Sequence, residues 1–239
     1  TWKSRGLGDV YKRQPKSKDI MVKIFGEDIL SLKYYWFKRF KLGNINLLIS
    51  RTGWSSEFGY EIFLLNSNDG DEVYETLMQE GKDLGLHPGH TSTIRRIEGA
   101  MLSYHSDMDI NTNPFELDLD KFIDLEGTFN FIGKDALIKI KKSGIKRKQV
   151  GLIIECEKFN GPNTKKWDIF NGNEKIGHVT SAVYSPRLKQ NIALALVNIS
   201  CADINKQLKV KIHNNLVNAV VTEKPFFDPN KLIAKEKTN

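Results

Sequence analysis

At 239 residues, with 40 % hydrophobic and 27 % charged side chains, the chain is long enough for one large domain or two small ones and has an ordinary soluble composition. No run of 18 apolar residues offers a membrane span, and the first 19 residues lack the apolar stretch of a cleavable secretory signal. The net charge of +7 is local. Residues 1–41 hold 11 Lys or Arg against 4 Asp or Glu, and the other 198 residues balance at 25 against 25. Without zinc-finger spacing or an aromatic RNA-binding signature, that basic start reads as a solvated face and no nucleic-acid partner is expected. Cys156 and Cys201 are expected to stay reduced and buried, which fits a cytoplasmic or organellar-matrix location.

Residues 1–15 are polar and aperiodic. From Ser17, Ile20, Met21, Ile24 and Phe25 recur at helical spacing and Gly26 supplies a stop. SLKYYWFKRFKLG and INLLIS read as strands leading to a turn at Arg51, and YEIFLL (60–65) as a further strand closed by NSNDG. Asp71 to Gly81 is a helix candidate, with Val73, Leu77 and Met78 along one side and Gly81 as its stop. Ser92 or Thr93 caps a predicted helix running through IRRIEGAMLSY, in which Ile94, Ile97, Met101 and Tyr104 share a face. NTNPFELDLDKFIDL is predicted as a loop feeding an alternating strand, and Phe131 to Lys142 as a short helix. From Arg147 five or more short strands separated by Gly, Asn, Asp and Pro turns predict a small β-barrel or sandwich, with a boundary near residues 143–148.

Motifs for phosphate loops, dinucleotide folds, zinc pairs or serine elbows are missing, and the five histidines form no convincing metal set, so no metal is expected. The densest polar segment is RTGWSSEFGYEIF. Gly53 and Gly59 allow turn geometry, and Glu57 and Glu61 place two carboxylates beside it. On local pattern alone Glu61 is simply a solvent-facing acid on a strand. The second segment is IRRIEGAMLSYHSDMDINTNPFE, where Arg96 and Glu98 flank Ile97. An arginine fork there can hold a carboxylate or a polar ring edge, although a surface ion pair is the plainer reading.

Taken together, these segments resemble the glycine cleavage T-protein (aminomethyltransferase) family. RTGWSSEFGYEIFL is similar to its Arg-Thr-Gly-Tyr-Thr-Gly-Glu-x-Gly-x-Glu-Ile stretch, and STIRRIEGAMLSYHSDMDINTNPFEL to its Leu-Arg-Leu-Glu-Ala-Gly helix, Gly-x-Asp loop and Pro-x-Glu. FIGKDAL, IGHVTSAVYSPRLKQNIALALV and VVTEKPFFDP resemble later family elements, in the family's order, and PKSKDIMVKIFGEDI its Gly-Pro-Lys-Ser helix.

The resemblance implies an α+β architecture. Residues 1–15 would be a non-matching segment, 16–144 a partial folate-binding domain, and 145–239 a C-terminal small β-barrel. It implies tetrahydrofolate as cofactor, with Glu61 on the pterin edge, Arg96 as the folate-site arginine, and Trp54, Tyr60 and Glu98 as wall or supporting residues. A carboxylate suits a pterin because the ring N–H and exocyclic amine point the same way. The partners implied are a small-molecule one-carbon donor and a lipoyl carrier protein, and the function is aminomethyl or methyl transfer to tetrahydrofolate. The alternative is a non-catalytic folate-binding regulator related to iron-sulfur assembly factors. The motifs depart at Ser56, where the stretch has Gly, and at Ser103 to Asp107, where the family's loop reads Leu-Tyr-Gly-x-Asp, and these changes lean toward the demethylase and dimethylglycine-type relatives. The family's catalytic aspartate belongs to a region not matched here. No catalytic residue is therefore assigned, Asp9, Asp19 and Asp28 are not promoted to that role, and the chain is expected to be incomplete and inactive or poorly active by itself.

Overall fold

The computed structural model describes residues 16–89 and 92–236. The 1–15 segment therefore lies outside the described residues. The described residues fall into two compact units, one running to Met101 and taken up again from Asp228, the other Leu102–Phe227.

In the first unit, α1 (Ser17–Phe25) and α2 (Gly70–Gly81) pack with a three-stranded antiparallel sheet in the order β1 (Phe37–Leu42), β2 (Ile45–Ser50), β3 (Glu61–Leu64). Alternation decides the faces. Phe40, Ile45, Leu47 and Ile49 point inward and join Met21 of α1, Val73 and Leu77 of α2, and Phe58 and Tyr60 in one core. The opposite face carries Phe37, Arg39 and Lys41, all exposed. α2 ends at Gly81 as predicted, but without a left-handed stop: Gly81 has an ordinary right-handed backbone, the chain continues as a 3-10 turn over Lys82–Leu84, and Gly85 at φ 81° ends it. Gly81 instead admits Leu86, which a Cβ there would meet at 2.6 Å.

The helix predicted through Tyr104 is shorter. α3 spans Thr93–Glu98, with the Ser92 hydroxyl accepting from the Arg95 N–H at its start. Ala100 then turns left-handed (φ 51°), and the Ala100 and Met101 N–H groups donate back to the Ile97 and Arg96 carbonyls, at 2.9 and 2.7 Å. That is a Schellman closure, and it overrides the apolar spacing that predicts a longer helix.

In the second unit, six antiparallel strands close a barrel in the order β4 (Arg147–Glu155), β7 (Gln190–Asn198), β6 (Glu174–Ser185), β5 (Trp167–Asn171), β8 (Gln207–Ile212), β9 (Asn215–Thr222), with β9 pairing back to β4. Its interior is Val150, Leu152, Ile154, Ile169, Val179, Ala195, Val210 and Val221 with their neighbours. Closure resolves the predicted choice between barrel and sandwich. The strand predicted within NTNPFELDLDKFIDL does not form. Pro114 opens a 3-10 turn (Pro114–Leu117) closed by a reciprocal capping box between Asn113 and Glu116. Asp118 turns left-handed (φ 58°) and a second 3-10 turn follows over Asp120–Phe122, so the backbone there is not extended. α4 (Lys134–Ser143) starts after Gly133, later than predicted, leaving Ile132 outside it and fully exposed.

β6 carries a bulge: Val179 faces Ala195 and Ser181 faces Leu194, with Thr180 the extra residue. The bulge lets two consecutive side chains serve one side of the strand. Thr180 Oγ1 and Ser181 Oγ both donate to Asp107 Oδ1 at 2.6 Å, while the Ser103 N–H donates to Oδ2 at 3.0 Å. Asp107, 2 % exposed, is thus the clasp that fixes the 103–108 loop on the barrel.

Candidate functional site

Both sequence-predicted motifs of the first unit meet around the loop of residues 51–60. Arg51 follows the end of β2 and is only 2 % exposed, which obliges its guanidinium to be satisfied internally. Nε donates to the Gly59 carbonyl at 3.2 Å and Nη2 to the Ala234 carbonyl at 2.7 Å. The guanidinium also lies 3.6 Å from the Phe58 ring centroid and 5.3 Å from that of Tyr60. Burial draws Arg51 below the usual guanidinium value, and the nearby Tyr60, Glu236 and Tyr34 act in the opposite direction. It remains a fixed cation at neutral pH. Arg51 therefore pins both ends of the loop and ties the returning chain terminus to it.

Glu61 opens β3 opposite Ser50, the last residue of β2. It is half-buried, and its Oε2 accepts from Thr52 Oγ1. The Ser50 and Thr52 hydroxyls are 2.5 Å apart. The carboxylate is thus held by its own strand pair instead of standing free on the sheet.

Three contacts join the loop to α3. The Arg96 guanidinium lies 5.4 Å from the Trp54 ring centroid, and Nη1 donates to the Met101 carbonyl at 3.4 Å. Arg95 Nη1 approaches Glu98 Oε2 at 3.0 Å and Glu57 Oε1 at 3.6 Å, bridging helix and loop. Gly99 lies against Ser56: a Cβ on Gly99 would come within 2.6 Å of the Ser56 Cβ. Ser56 itself adopts φ 57°.

The predicted site residues therefore separate by role. Glu61 and Arg96 border the loop, Trp54 packs on Arg96, and Glu98 is 1 % exposed and engaged by Arg95. Tyr60 is buried in the unit's core, edge-to-face with Phe58 at 5.6 Å. Its hydroxyl has no hydrogen-bond partner among the described residues, and burial holds the phenol above its ordinary range, against the pull of Arg51. Sequence reasoning gave no role to Ser50 or Arg95, and none of their own to Arg51 and Thr52, although these two lie in the segment it singled out. The signal for Thr52 was its place inside the Arg-Thr-Gly stretch, two residues past a strand whose partner begins with Glu61. A cleft lined by Tyr34, Arg51, Thr52, Gly53, Ser56, Glu57, Gly59, Met101 and Ala234 opens beside the loop. Among the described residues no three His, Cys, Asp or Glu side chains gather as a metal site, and no helix is long and apolar enough to cross a membrane.

The family model for the GCVT N-terminal domain matches residues 14–127, and that for the glycine cleavage T-protein C-terminal barrel domain matches residues 147–228. The aminomethyltransferase of Caldanaerobacter subterraneus subsp. tengcongensis is 36 % identical over 220 residues, covering 90 % of this chain and 57 % of that protein. The aminomethyltransferase of Thermoanaerobacter pseudethanolicus is 35 % identical over 229 residues, covering 94 % and 60 %. This chain thus spans about three fifths of the length of these curated relatives. The crystal structure of glycine cleavage system aminomethyltransferase T from Bartonella henselae shares the fold, with a TM-score of 0.71 at 18 % identity over 90 % of this chain and 58 % of that one. With both family models matched in order and a six-stranded barrel where the second requires one, the chain belongs to the glycine cleavage T-protein family.

Proposed function

We propose that this chain serves tetrahydrofolate-dependent aminomethyl transfer, with Glu61 and Arg96 forming one wall of the pterin site. The observation that carries the reading is the Glu61 carboxylate, half-buried at the head of β3 and oriented by Thr52 beside the loop that packs on Arg96. The donor set suits a reduced pterin. A carboxylate accepts from ring N–H and exocyclic amine groups, and an arginine of fixed orientation favours the glutamyl carboxylates of a folate. Trp54 adds an aromatic surface next to Arg96.

Bound tetrahydrofolate supplies the ring nitrogen that accepts the one-carbon unit. This chain's residues supply position and electrostatics. Glu61 accepts from the pterin edge, Arg96 neutralises anionic charge, and the Arg95 bridge to Glu57 and Glu98 keeps loop and helix in register. In keeping with the names of the relatives, the donor we assign is an aminomethyl group presented by a lipoyl-bearing carrier protein, in the cytoplasm or an organellar matrix.

The test is a titration of tetrahydrofolate against the chain under reducing conditions, followed by tryptophan fluorescence. Saturable quenching is expected, lost in Glu61→Ala and weakened in Arg96→Ala. Equal affinity in Glu61→Ala and the unmodified chain refutes the pterin contact.

A further inference from the structure

We propose that Thr52 is a positioning residue for Glu61, backed by Ser50, so that the pterin-facing carboxylate meets its ligand with one oxygen already held. The inference rests on the folate reading above and adds two residues to it.

The hydrogen bookkeeping fixes the direction of the chain. An ionised carboxylate only accepts, so the single hydroxyl hydrogen of Thr52 goes to Glu61 Oε2. With that hydrogen committed, the 2.5 Å contact to Ser50 requires Ser50 to donate to Thr52. Ser50 is 6 % exposed, so its donor has few aqueous alternatives. Donation runs from Ser50 to Thr52 to Glu61. Among the described residues the Glu61 carboxylate makes no other hydrogen bond, so Oε1 keeps its full accepting capacity for a ligand donor.

The backbone beneath this relay is held on both sides. Arg51 sits between Ser50 and Thr52, and its N–H donates to the Trp36 carbonyl while its own carbonyl accepts from Tyr35. Its side chain grips Gly59, two residues before Glu61, and Ala234. Both ends of the Thr52 to Glu61 contact are therefore tied to one buried cation. A carboxylate at a strand end otherwise loses rotamer freedom when a ligand arrives, and Thr52 removes part of that loss beforehand. The contact through two Glu61 oxygens that the family resemblance implies becomes an arrangement in which Oε1 takes a ligand donor and Oε2 is shared with Thr52.

The experiment compares tetrahydrofolate affinity and thermal midpoint for Thr52→Val, Thr52→Ser, Ser50→Ala and Glu61→Ala in the same 239-residue chain. Thr52→Val removes the donor at nearly constant shape and should weaken binding about 10-fold, with a lower midpoint because the buried Ser50 hydroxyl loses its acceptor. Thr52→Ser should restore the affinity, and Ser50→Ala should fall between. If Thr52→Val binds like the unmodified chain while Glu61→Ala does not bind, the relay is wrong and the folate reading stands. Equal losses in Thr52→Val and Thr52→Ser also overturn it, because the hydroxyl is then not the cause. If Glu61→Ala keeps its affinity, the folate contact itself fails. Should the unmodified chain bind no tetrahydrofolate, the 13C resonance of the Glu61 carboxyl decides independently: it should move in Thr52→Val and hold in Thr52→Ser, and an unmoved resonance in Thr52→Val overturns the proposal.

Discussion

Gly99 and Ser56 form a contact that can be inverted. A Cβ on Gly99 would overlap Ser56 Oγ and lie 2.6 Å from Ser56 Cβ. Rotating the hydroxyl relieves the first clash, but the second involves an atom fixed to the backbone and requires loop or helix to move. Gly99→Ala should therefore destabilise the first unit by about 2–3 kcal/mol, the upper part of the overpacking range. Gly99 has φ −83° and ψ 5°, which alanine tolerates, so backbone strain is not the cause. Ser56 holds φ 57°, and Ser56→Gly should be neutral to stabilising by up to about 1 kcal/mol, as relief of left-handed strain exceeds the added unfolded-state entropy. In the double variant the clash is gone and the added alanine methyl lowers the unfolded-state entropy, so the coupling should reach about 2–4 kcal/mol. The assay is urea unfolding followed by tryptophan fluorescence in a Trp167→Phe background, which removes the barrel's reporter. An equal cost of Gly99→Ala with and without Ser56→Gly would refute the argument. The double variant also restores two positions of the family motifs, which have Gly where this chain has Ser56 and, with their arginine on Arg96, Ala where it has Gly99. Two departures that look unrelated in sequence thus become one exchange of volume across a contact.

Other outcomes follow from the barrel. A Cβ on Gly177 would overlap the Leu196 carbonyl oxygen and lie 2.8 Å from the Val197 Cα, both backbone atoms of β7. Gly177→Ala should cost about 3 kcal/mol or more in urea unfolding monitored at Trp167, because no side chain can yield. Asp107→Ala removes the acceptor shared by Thr180 and Ser181, and a loss of about 2–4 kcal/mol is expected by the same measurement, with faster hydrogen exchange at the Ser103 amide. Burial lowers the pKa of half-buried His178, and Lys166, Arg147 and Lys175 add to the effect against Asp168. The unfolded chain then takes up this proton first. His178's contribution is complete above the unfolded value of about 6.5 and is lost as pH falls through the lowered folded value. His178→Gln should flatten the stability profile in that acid window while leaving it unchanged above about pH 7, as read by midpoints across a pH series.

Elements whose information is local could be read from the residues alone. α1 and α2 were legible because apolar side chains recur on one face within a few turns, and Ser92 because a cap sits next to what it caps. The strands after Arg147 were legible from turn spacing, and the ordered motifs pointed to the family without coordinates. The remainder needed the folded chain. α3 ends six residues before its apolar pattern does, because Ala100 turns left-handed against a neighbouring loop that no helical periodicity reports. The strand expected after Pro114 fails because two 3-10 turns and a left-handed Asp118 take the place of the extended backbone that alternation predicts. Local pattern left Glu61 as a solvent-facing acid and the family resemblance placed it on a pterin. Its hold on Thr52 depends on strand register, which sets Ser50 opposite Glu61 and brings together hydroxyls and a carboxylate that are up to 11 positions apart in the chain. A residue's chemistry is written in its own letter, but its orientation belongs to the neighbours that folding brings, and those are not adjacent in sequence.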